Sequence, residues 1–230
     1  MLTQTAMRSG LTTQPPLPGR RVTPSVVSRA LAGSIEMMGA PMSFARNAEI
    51  YGENEPADYL YKVISGSVRT YKVLSDGRRQ IGAFYLPGDM FGLETGEEHS
   101  FSAEAITNAK VLVIKRSAVI ALAERDGDVA RQLWALTSRE LSRVQEHILL
   151  LVKTAQERVV SFLLEMAARM PGCNAVDLPM SRQDIADYLG LTIETVSRTL
   201  TTLENAAAIE LPTSRRVVLR NRSALSRLNG

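Results

Sequence analysis

The stretch TIETVSRTL, residues 192–200, decides the fold of the C-terminal part of this chain. At 100° per residue, a helix through this stretch turns Val196, Leu200 and the following Leu203 toward a core. The polar side chains fall together on the opposite arc of about 100°: Glu194, Ser197, Arg198 and Thr201. A buried face is expected of any helical hairpin, whereas this polar face predicts a specific partner.

A second helix is predicted immediately upstream. Ser181 is a candidate N-cap with Asp184 three residues later, a capping-box-like start. Ile185, Ala186 and Leu189 form its apolar face, and Gly190 suits the C-terminal end of a helix. Thr192 can cap the second helix, which we expect to run to about Asn205. Two short helices joined by a glycine-containing turn form a helix-turn-helix.

The polar face has the chemistry of a DNA-reading helix. Arg198 can donate two hydrogen bonds to guanine, and Glu194 can accept from the cytosine amino group. Ser197 can approach a base or a phosphate, and Ile193 can contact a thymine methyl group. The alternative is a solvent-exposed Glu–Arg ion pair worth about 0.3–0.5 kcal/mol. The helix-turn-helix context favours DNA contact.

Positive charge around this unit supports the same interpretation. From Met180 onward there are seven arginines, five acidic residues and no lysine. The segments IEL and VVL, which flank PTSRR, predict a hairpin or wing. Arginine and hydroxyl side chains can contact phosphates and fix the register without reading sequence. The candidate backbone contacts are Arg182, Thr192, Thr195, Thr201, Arg215 and Arg216.

From about residue 45 to 115, short β-favouring runs alternate with turn signals. SDG at 75–77 predicts a hairpin and PGD at 87–89 a tight turn. Regularly spaced glycines suit an antiparallel roll or barrel. We therefore predict an α+β chain: an N-terminal antiparallel β-roll, a long dimerisation helix and a C-terminal winged helix-turn-helix. The predicted boundaries are an extension at 1–24, the roll with a short N-terminal helix at 25–125, the dimerisation helix at 126–153 and the DNA-binding domain at 154–230.

The long helix carries an apolar series at alternating steps of three and four residues, interrupted only at Thr137. Such a series can pack on its own domain or against a second copy of the chain. Because the run exceeds 20 residues and includes LLLV at 149–152, we predict a parallel homodimer. The predicted interface residues are Trp134, Leu141, Val144, Ile148, Leu151 and Ala155.

Composition excludes several other classes of protein. With 45% hydrophobic and 22% charged residues the chain is typical of soluble globular proteins. No apolar run approaches the roughly 20 residues that span a bilayer, and no secretory signal is evident, so we expect a cytoplasmic protein without membrane contact. A single cysteine and two histidines leave a catalytic cupin-like domain without ligands, and no metal is expected. We predict no enzymatic activity.

The stretch SRQDIADYLGLTIETVSRTLTTLE, residues 181–204, resembles the DNA-binding segment of the cAMP receptor protein/FNR superfamily of bacterial transcription regulators. ETVSR is similar to the E-x-x-S-R signature of the FNR type. RQIGAFYLPGDMFGLE at 79–94 and HSFSAEAI at 99–106 resemble the FixK branch. The resemblance covers roughly residues 40–222. It implies a homodimer that binds a palindrome of the type TTGAT-N4-ATCAA through Glu194, Ser197 and Arg198, contacts RNA polymerase, and usually activates genes for low-oxygen metabolism.

The departures from the superfamily predict a protein without cofactors. The N-terminal cysteines that hold the iron–sulfur cluster of FNR are absent here. Where cAMP-binding members have Gly-Glu-Leu and Arg-Ser, this chain has Gly92-Leu93-Glu94 and His99-Ser100. A neutral histidine does not replace the fixed charge of arginine. A regulator of the same fold gated by an unknown small molecule remains the alternative. Cys173, in the linker MPGCN, is either a redox-sensitive thiol or an incidental residue, and the second interpretation is favoured.

Overall fold

The computed structural model describes residues 38–170, 172 and 174–228. The N-terminal extension, most of the short helix predicted at 25–38, and Cys173 lie outside the described residues. The described elements follow in the order roll, long helix and winged helix-turn-helix, which confirms the predicted α+β fold class.

Eight strands build the roll as two four-stranded antiparallel sheets. The first sheet has the order β1-β8-β3-β6 and the second β2-β7-β4-β5. The strands are β1 (Ala40–Phe44), β2 (Glu49–Tyr51), β3 (Tyr59–Ser65), β4 (Val68–Val73), β5 (Arg79–Tyr85), β6 (Met90–Phe91), β7 (Ser102–Ala105) and β8 (Ala109–Lys115). β3 coincides with the YLYKVIS run, since aromatic and β-branched residues favour strands.

The turns of the roll depend on glycine at particular places. The predicted SDG turn joins β4 to β5, with Gly77 at φ +83°. Gly66, at φ +79°, joins β3 to β4, and a Cβ there would come within 2.4 Å of the Asn108 carbonyl oxygen. Any side chain at position 66 would therefore strain both backbones.

Helices connect the roll to the C-terminal domain. α1 (Arg116–Arg125) leads into α2 (Gly127–Leu151), which at 1.5 Å per residue is about 38 Å long. α2 ends before a break at Val152–Thr154, and α3 (Ala155–Arg169) starts with a capping box formed by Thr154 and Glu157. Ala155 of the predicted interface series therefore belongs to α3 and not to the long helix.

The C-terminal domain contains α4 (Arg182–Leu189), α5 (Ile193–Asn205) and a three-stranded sheet. The sheet has the order β10-β11-β9, from β9 (Ala175–Asp177), β10 (Ile209–Glu210) and β11 (Arg216–Leu219). The antiparallel β10–β11 pair confirms the predicted wing hairpin, whereas β9 and the final helix α6 (Arg222–Leu228) were not predicted. A continuous apolar core joins this domain to the roll, because Phe84 of β5 packs near Phe162 and Tyr188.

Candidate nucleic-acid interface

The helix-turn-helix is held by the caps that the sequence predicted. The Ser181 hydroxyl accepts a hydrogen bond from the Asp184 amide at 3.1 Å, and the Asp184 carboxylate accepts one from the Ser181 amide at 2.9 Å. α4 ends at Gly190, which adopts the left-handed conformation with φ +61° and ψ 40°. Thr192 then caps α5, its hydroxyl accepting from the Thr195 amide at 3.2 Å. These local interactions fix the angle between the two helices.

α5 presents its two faces as predicted from periodicity. Val196, Leu200 and Leu203 are buried, at 0%, 3% and 1% exposure, against the rest of the domain. Glu194, Arg198 and Thr201 are exposed on the other side, and Ile193 is 37% exposed at the helix start. The candidate base-reading side chains therefore lie on the accessible face of α5, near its N-terminus.

Glu194 is positioned to act as a hydrogen-bond acceptor. Its own backbone amide and the Thr192 hydroxyl hydrogen-bond to the carboxylate, and Arg198 adds a nearby positive charge, so the pKa of Glu194 lies below its ordinary value. The carboxylate is thus ionised at neutral pH and can only accept. That is the chemistry required to bind the amino group of cytosine.

Ser197 has a partner that the sequence did not predict. Arg182, expected to contact phosphate, donates from Nη1 to the Ser197 hydroxyl oxygen at 3.3 Å. Both side chains are half-buried in the angle between α4 and α5. The hydrogen of the Ser197 hydroxyl stays free to donate elsewhere, so Arg182 orients this side chain in addition to any phosphate contact. Residues 15 positions apart meet here only because the turn brings the helices together.

The remaining candidate phosphate contacts differ in accessibility. Arg216, in the wing, is exposed and its guanidinium lies 3.5 Å from the Asp177 carboxylate. Arg215 is half-buried and donates to the Pro179 carbonyl oxygen at 3.1 Å. Thr201 donates its hydroxyl hydrogen to the Ser197 carbonyl at 3.1 Å, which leaves its oxygen as an acceptor only. Arg216 is therefore the more accessible of the two wing arginines.

The candidate dimer interface is an exposed apolar stripe along α2. Trp134, Leu141, Val144 and Ile148 are 77%, 57%, 49% and 58% exposed. Leu151 and Ala155 are half-buried instead. A methyl group of Leu151 lies 3.6 Å from where a Cβ on Gly190 would be, so this leucine packs beside the turn of the helix-turn-helix. The first four members of the predicted series are the ones available to a second copy.

Aromatic rings pack against one another inside the roll. His99, one of the residues at which this chain departs from the cAMP-binding members, is part of this group. His99 stacks on Tyr51 with ring centroids 3.6 Å apart, and Tyr61 and Tyr85 each lie 5.1 Å from Phe91. Burial lowers the pKa of His99 and outweighs the opposing charge of Glu94, whose oxygen is 3.7 Å from Nδ1. The imidazole is therefore neutral at pH 7.

The Glu94 carboxylate is hydrogen-bonded to Ser100. Its carboxylate accepts from the Ser100 amide at 3.2 Å and the Ser100 hydroxyl at 3.0 Å. Among the described residues, no group of three or more His, Cys, Asp and Glu side chains could hold a metal ion. No helix of the described part combines the length and apolarity that a membrane crossing requires.

Comparison with known proteins agrees with this architecture. A family model described as a Crp-like helix-turn-helix domain matches residues 157–228, and one described as a cyclic nucleotide-binding domain matches residues 41–126. The nitrogen fixation regulation protein FixK of Azorhizobium caulinodans is 57% identical over 201 residues, which cover 85% of this chain and 81% of that protein. The transcriptional activatory protein AadR of Rhodopseudomonas palustris is 41% identical over 179 residues, 76% of this chain and 75% of that protein.

A solved structure shows the same relationship in three dimensions. FixK2 from Bradyrhizobium japonicum superposes with a TM-score of 0.81 at 52% sequence identity, covering 84% of this chain and 98% of that one. Together with the family models and the roll, long helix and helix-turn-helix described above, these matches place the protein in a known family. The chain belongs to the Crp/FNR superfamily of transcription regulators, in its FixK branch.

Proposed function

We propose that this protein is a transcription activator that binds, as a homodimer, a palindrome of the type TTGAT-N4-ATCAA and needs no bound effector to do so. The observation that carries the proposal is the exposed face of α5, on which Glu194 and Arg198 stand on a helix whose opposite face is buried.

Each side chain has a distinct role in this proposal. Arg198 donates to the O6 and N7 of the guanine in TTGAT, and Glu194 accepts from the amino group of a cytosine. Ser197, oriented by Arg182, contacts an adjacent base, and Ile193 contacts a thymine methyl group. Arg216 and the Thr195 hydroxyl contact the phosphate backbone, with Arg182 and Arg215 as further candidates. The Thr192 and Thr201 hydroxyls donate to the Glu194 carboxylate and to the Ser197 carbonyl, so each must turn away from that partner to donate to phosphate.

A palindromic operator requires a two-fold symmetric protein. The apolar stripe on α2 supports this. Its four large side chains are half to three-quarters exposed, and a parallel pairing of two α2 helices would remove them from contact with water. Such a dimer places two recognition helices about one helical turn, roughly 34 Å, apart along the DNA. Each α5 then meets one half-site.

Effector-free binding is supported by the interior of the roll. A ring stack occupies it, and a buried neutral His99 takes the place of the arginine that pairs with a cyclic phosphate in cAMP-binding members. An anionic nucleotide would lose its hydration there without gaining a compensating charge. Control of activity then falls to protein abundance or modification.

The biological role follows from the relatives by analogy. The Azorhizobium caulinodans protein is named for regulation of nitrogen fixation and the Rhodopseudomonas palustris protein as a transcriptional activator. We infer that this protein controls genes of low-oxygen metabolism, acting with RNA polymerase in the cytoplasm and without a catalytic activity of its own.

Fluorescence anisotropy on a labelled TTGAT-N4-ATCAA duplex and a scrambled duplex, without nucleotide, tests the proposal. We expect tight binding to the palindrome, weak binding to the scrambled duplex, and a smaller difference between the two affinities in Arg198→Ala. Arg125→Ala is the matched control, because it removes one exposed positive charge at the end of α1, outside the helix-turn-helix. Equal affinity for both duplexes would refute sequence-specific binding. Selectivity that appears only on adding cAMP or a cell extract would favour the ligand-gated alternative.

A further inference from the structure

The helix-turn-helix of this chain is docked on the outer face of the roll. α4 lies against β5, where Ile81 and Phe84 are buried at 0% and 1% exposure beside Tyr188. Gln80 reaches across, with Nε2 3.4 Å from the Tyr188 carbonyl oxygen. Apolar burial of this kind stabilises the contact between α4 and the roll, but it does little to fix the orientation of α4.

Directional contacts surround the apolar centre as a cluster of four charged side chains. One carboxylate oxygen of Asp184 accepts from Arg69 Nη1 at 2.9 Å and from Arg79 Nη2 at 2.6 Å. Asp187 accepts from Arg79 Nε at 2.8 Å, and Arg69 Nη2 donates to Glu104 at 2.8 Å. We call Arg69, Arg79, Asp184 and Asp187 the interdomain charge cluster. Two strands of the roll contribute its cations and α4 contributes its anions.

Asp184 and Arg69 are the buried members of the cluster, whereas the Arg79 side chain is 26% exposed. Asp184 is 3% exposed and Arg69 8% exposed. Burial alone would raise the pKa of Asp184, but hydrogen bonds from Ser181 and the charges of Arg69 and Arg79 outweigh it and the pKa lies below its ordinary value. The carboxylate is thus ionised across the physiological range. Charge pairs with this degree of burial are more sensitive to geometry than surface pairs.

β5 connects the cluster to the dimerisation helix. At one end of the strand Arg79 bonds α4, and at the other end the Tyr85 hydroxyl donates to Glu140 of α2 at 3.1 Å. Next to Tyr85, Asp89 lies 2.7 Å from Arg169 of α3 and 3.7 Å from Arg143 of α2. A single strand therefore joins the helix that carries the dimer stripe to the helix that supports α5.

We propose that the interdomain charge cluster positions the DNA-reading helices: it locks α4 to the roll at one angle, so that the two recognition helices of the dimer are held at the half-site spacing without a bound effector. This inference rests on the proposed function, because it explains how that function is met when the roll interior holds no ligand. Charged pairs at an interface fix register and orientation more than they add affinity. The residues act through α5 and do not contact DNA.

Arg79→Met tests the cluster in the full-length protein, since it keeps the aliphatic length and removes the charge that bridges Asp184 and Asp187. Arg78→Met is the matched control, because Arg78 is the adjacent arginine and its side chain, 77% exposed, pairs only locally with Asp76. Asp187→Asn removes one of the two carboxylate charges that Arg79 pairs with, from the α4 side, if Arg79→Met does not fold. Arg79→Lys keeps a cation beside Asp184 and Asp187 and serves as the conservative variant.

The first readout is a distance within one chain. Spin labels at Ser117→Cys on α1, which packs against the roll, and at Asn205→Cys at the end of α5, both exposed, are introduced with Cys173→Ser and diluted with unlabelled protein. Wild type should give one narrow distance distribution by electron–electron double resonance. Arg79→Met should broaden it, Arg78→Met should leave it unchanged, and Arg79→Lys should give a narrower distribution than Arg79→Met does. An equally narrow distribution in Arg79→Met would overturn the proposal.

The second readout is spacing preference on DNA. Affinities are compared on TTGAT-N3-ATCAA, N4 and N5 duplexes and on a duplex with one half-site. In Arg79→Met the preference for N4 over N3 and N5 should fall by on the order of tenfold, with half-site affinity unchanged. Loss on all four duplexes alike would mean that the cluster only stabilises the fold, and would refute a positioning role. If the wild type did not recognise even a half-site, the proposed function would be refuted. The distance readout needs no DNA, so it would still show whether the cluster holds α4 at one position.

Discussion

Removing the carboxylate of Asp184 should destabilise the protein more than removing any exposed acid. This side chain is 3% exposed and accepts four hydrogen bonds, from the Ser181 amide and hydroxyl and from Arg69 and Arg79. Asp184→Ala keeps the Ser181 cap and loses only the returning half of the capping box, at a cost of up to about 1 kcal/mol, whereas breaking a buried ion pair costs about 3–5 kcal/mol. The two costs do not add fully here.

The arginines keep part of their compensation when Asp184 is lost. Arg69 retains Glu104 at 2.8 Å and Arg79 retains Asp187 at 2.7 Å, so neither guanidinium is left without a counter-charge. We therefore expect Asp184→Ala to lower the free energy of unfolding by about 3–4 kcal/mol, near the low end of the range. Asp128→Ala is the control, since the Asp128 side chain is 72% exposed, pairs with Arg131 at the surface, and should cost no more than about 1 kcal/mol.

Urea unfolding followed by circular dichroism measures both variants, with the change read from the midpoint at a common slope. Because the folded pKa of Asp184 is lowered, its charge contributes stability above the unfolded value of about 3.9 and loses that contribution as the pH falls through the folded pKa. The difference in the free energy of unfolding between wild type and Asp184→Asn should therefore become smaller below about pH 4. A cost for Asp184→Ala no larger than for Asp128→Ala would refute the reasoning.

Three further results are expected. Arg198→Ala should cost about 1–3 kcal/mol of binding free energy on the palindrome and relax the preference for its guanine. Arg216→Ala should weaken binding to all sequences alike and reduce the slope of log affinity against log salt concentration by about one. Uniform weakening in Arg198→Ala and altered base preference in Arg216→Ala would mean that the two roles are exchanged. Ile148→Glu, which charges the exposed stripe of α2, should give a monomer by sedimentation that binds a half-site but no longer favours the palindrome, and a variant that stays dimeric would contradict the interface. The pKa of the buried His99 is lowered, so below about pH 6.5 the unfolded chain binds more protons than the folded one. The free energy of unfolding should therefore decrease as the pH decreases below about 6.5, by up to about 1.4 kcal/mol per pH unit, and His99→Phe should reduce this dependence on pH. The same dependence in His99→Phe would show that His99 does not cause it.

Local patterns predicted the elements that carry the proposed function. β3 follows a seven-residue run of β-favouring side chains, and α4 and α5 follow from caps at Ser181 and Thr192 and a left-handed Gly190. The outward placement of Glu194 and Arg198 follows from the helical period alone. β6, with two residues, has no period to detect and was not predicted, whereas the equally short β10 was predicted because a turn segment and a second β-favouring run follow it.

The docking of α4 on the roll could not be predicted in this way. Arg69 and Asp184 are 115 residues apart, and neither lies in a pattern that indicates the other. Leu151 shows the same limit, because its spacing fits the α2 stripe while its side chain packs beside Gly190. Periodicity reports which face of an element is apolar, but it does not report which of two neighbouring elements covers that face.

Asp184 shows how a local motif can conceal a long-range role. The sequence S-x-x-D accounts for this residue fully as a helix cap, and the structure does contain the capping box, which uses the second carboxylate oxygen. A carboxylate has about four acceptor sites, however, and a cap uses only some of them. The other oxygen accepts from both arginines of the roll, so the residue that completes the capping box of α4 also binds α4 to the roll. The position of the recognition helix therefore depends on the same side chain that makes the helix-turn-helix recognisable in the sequence.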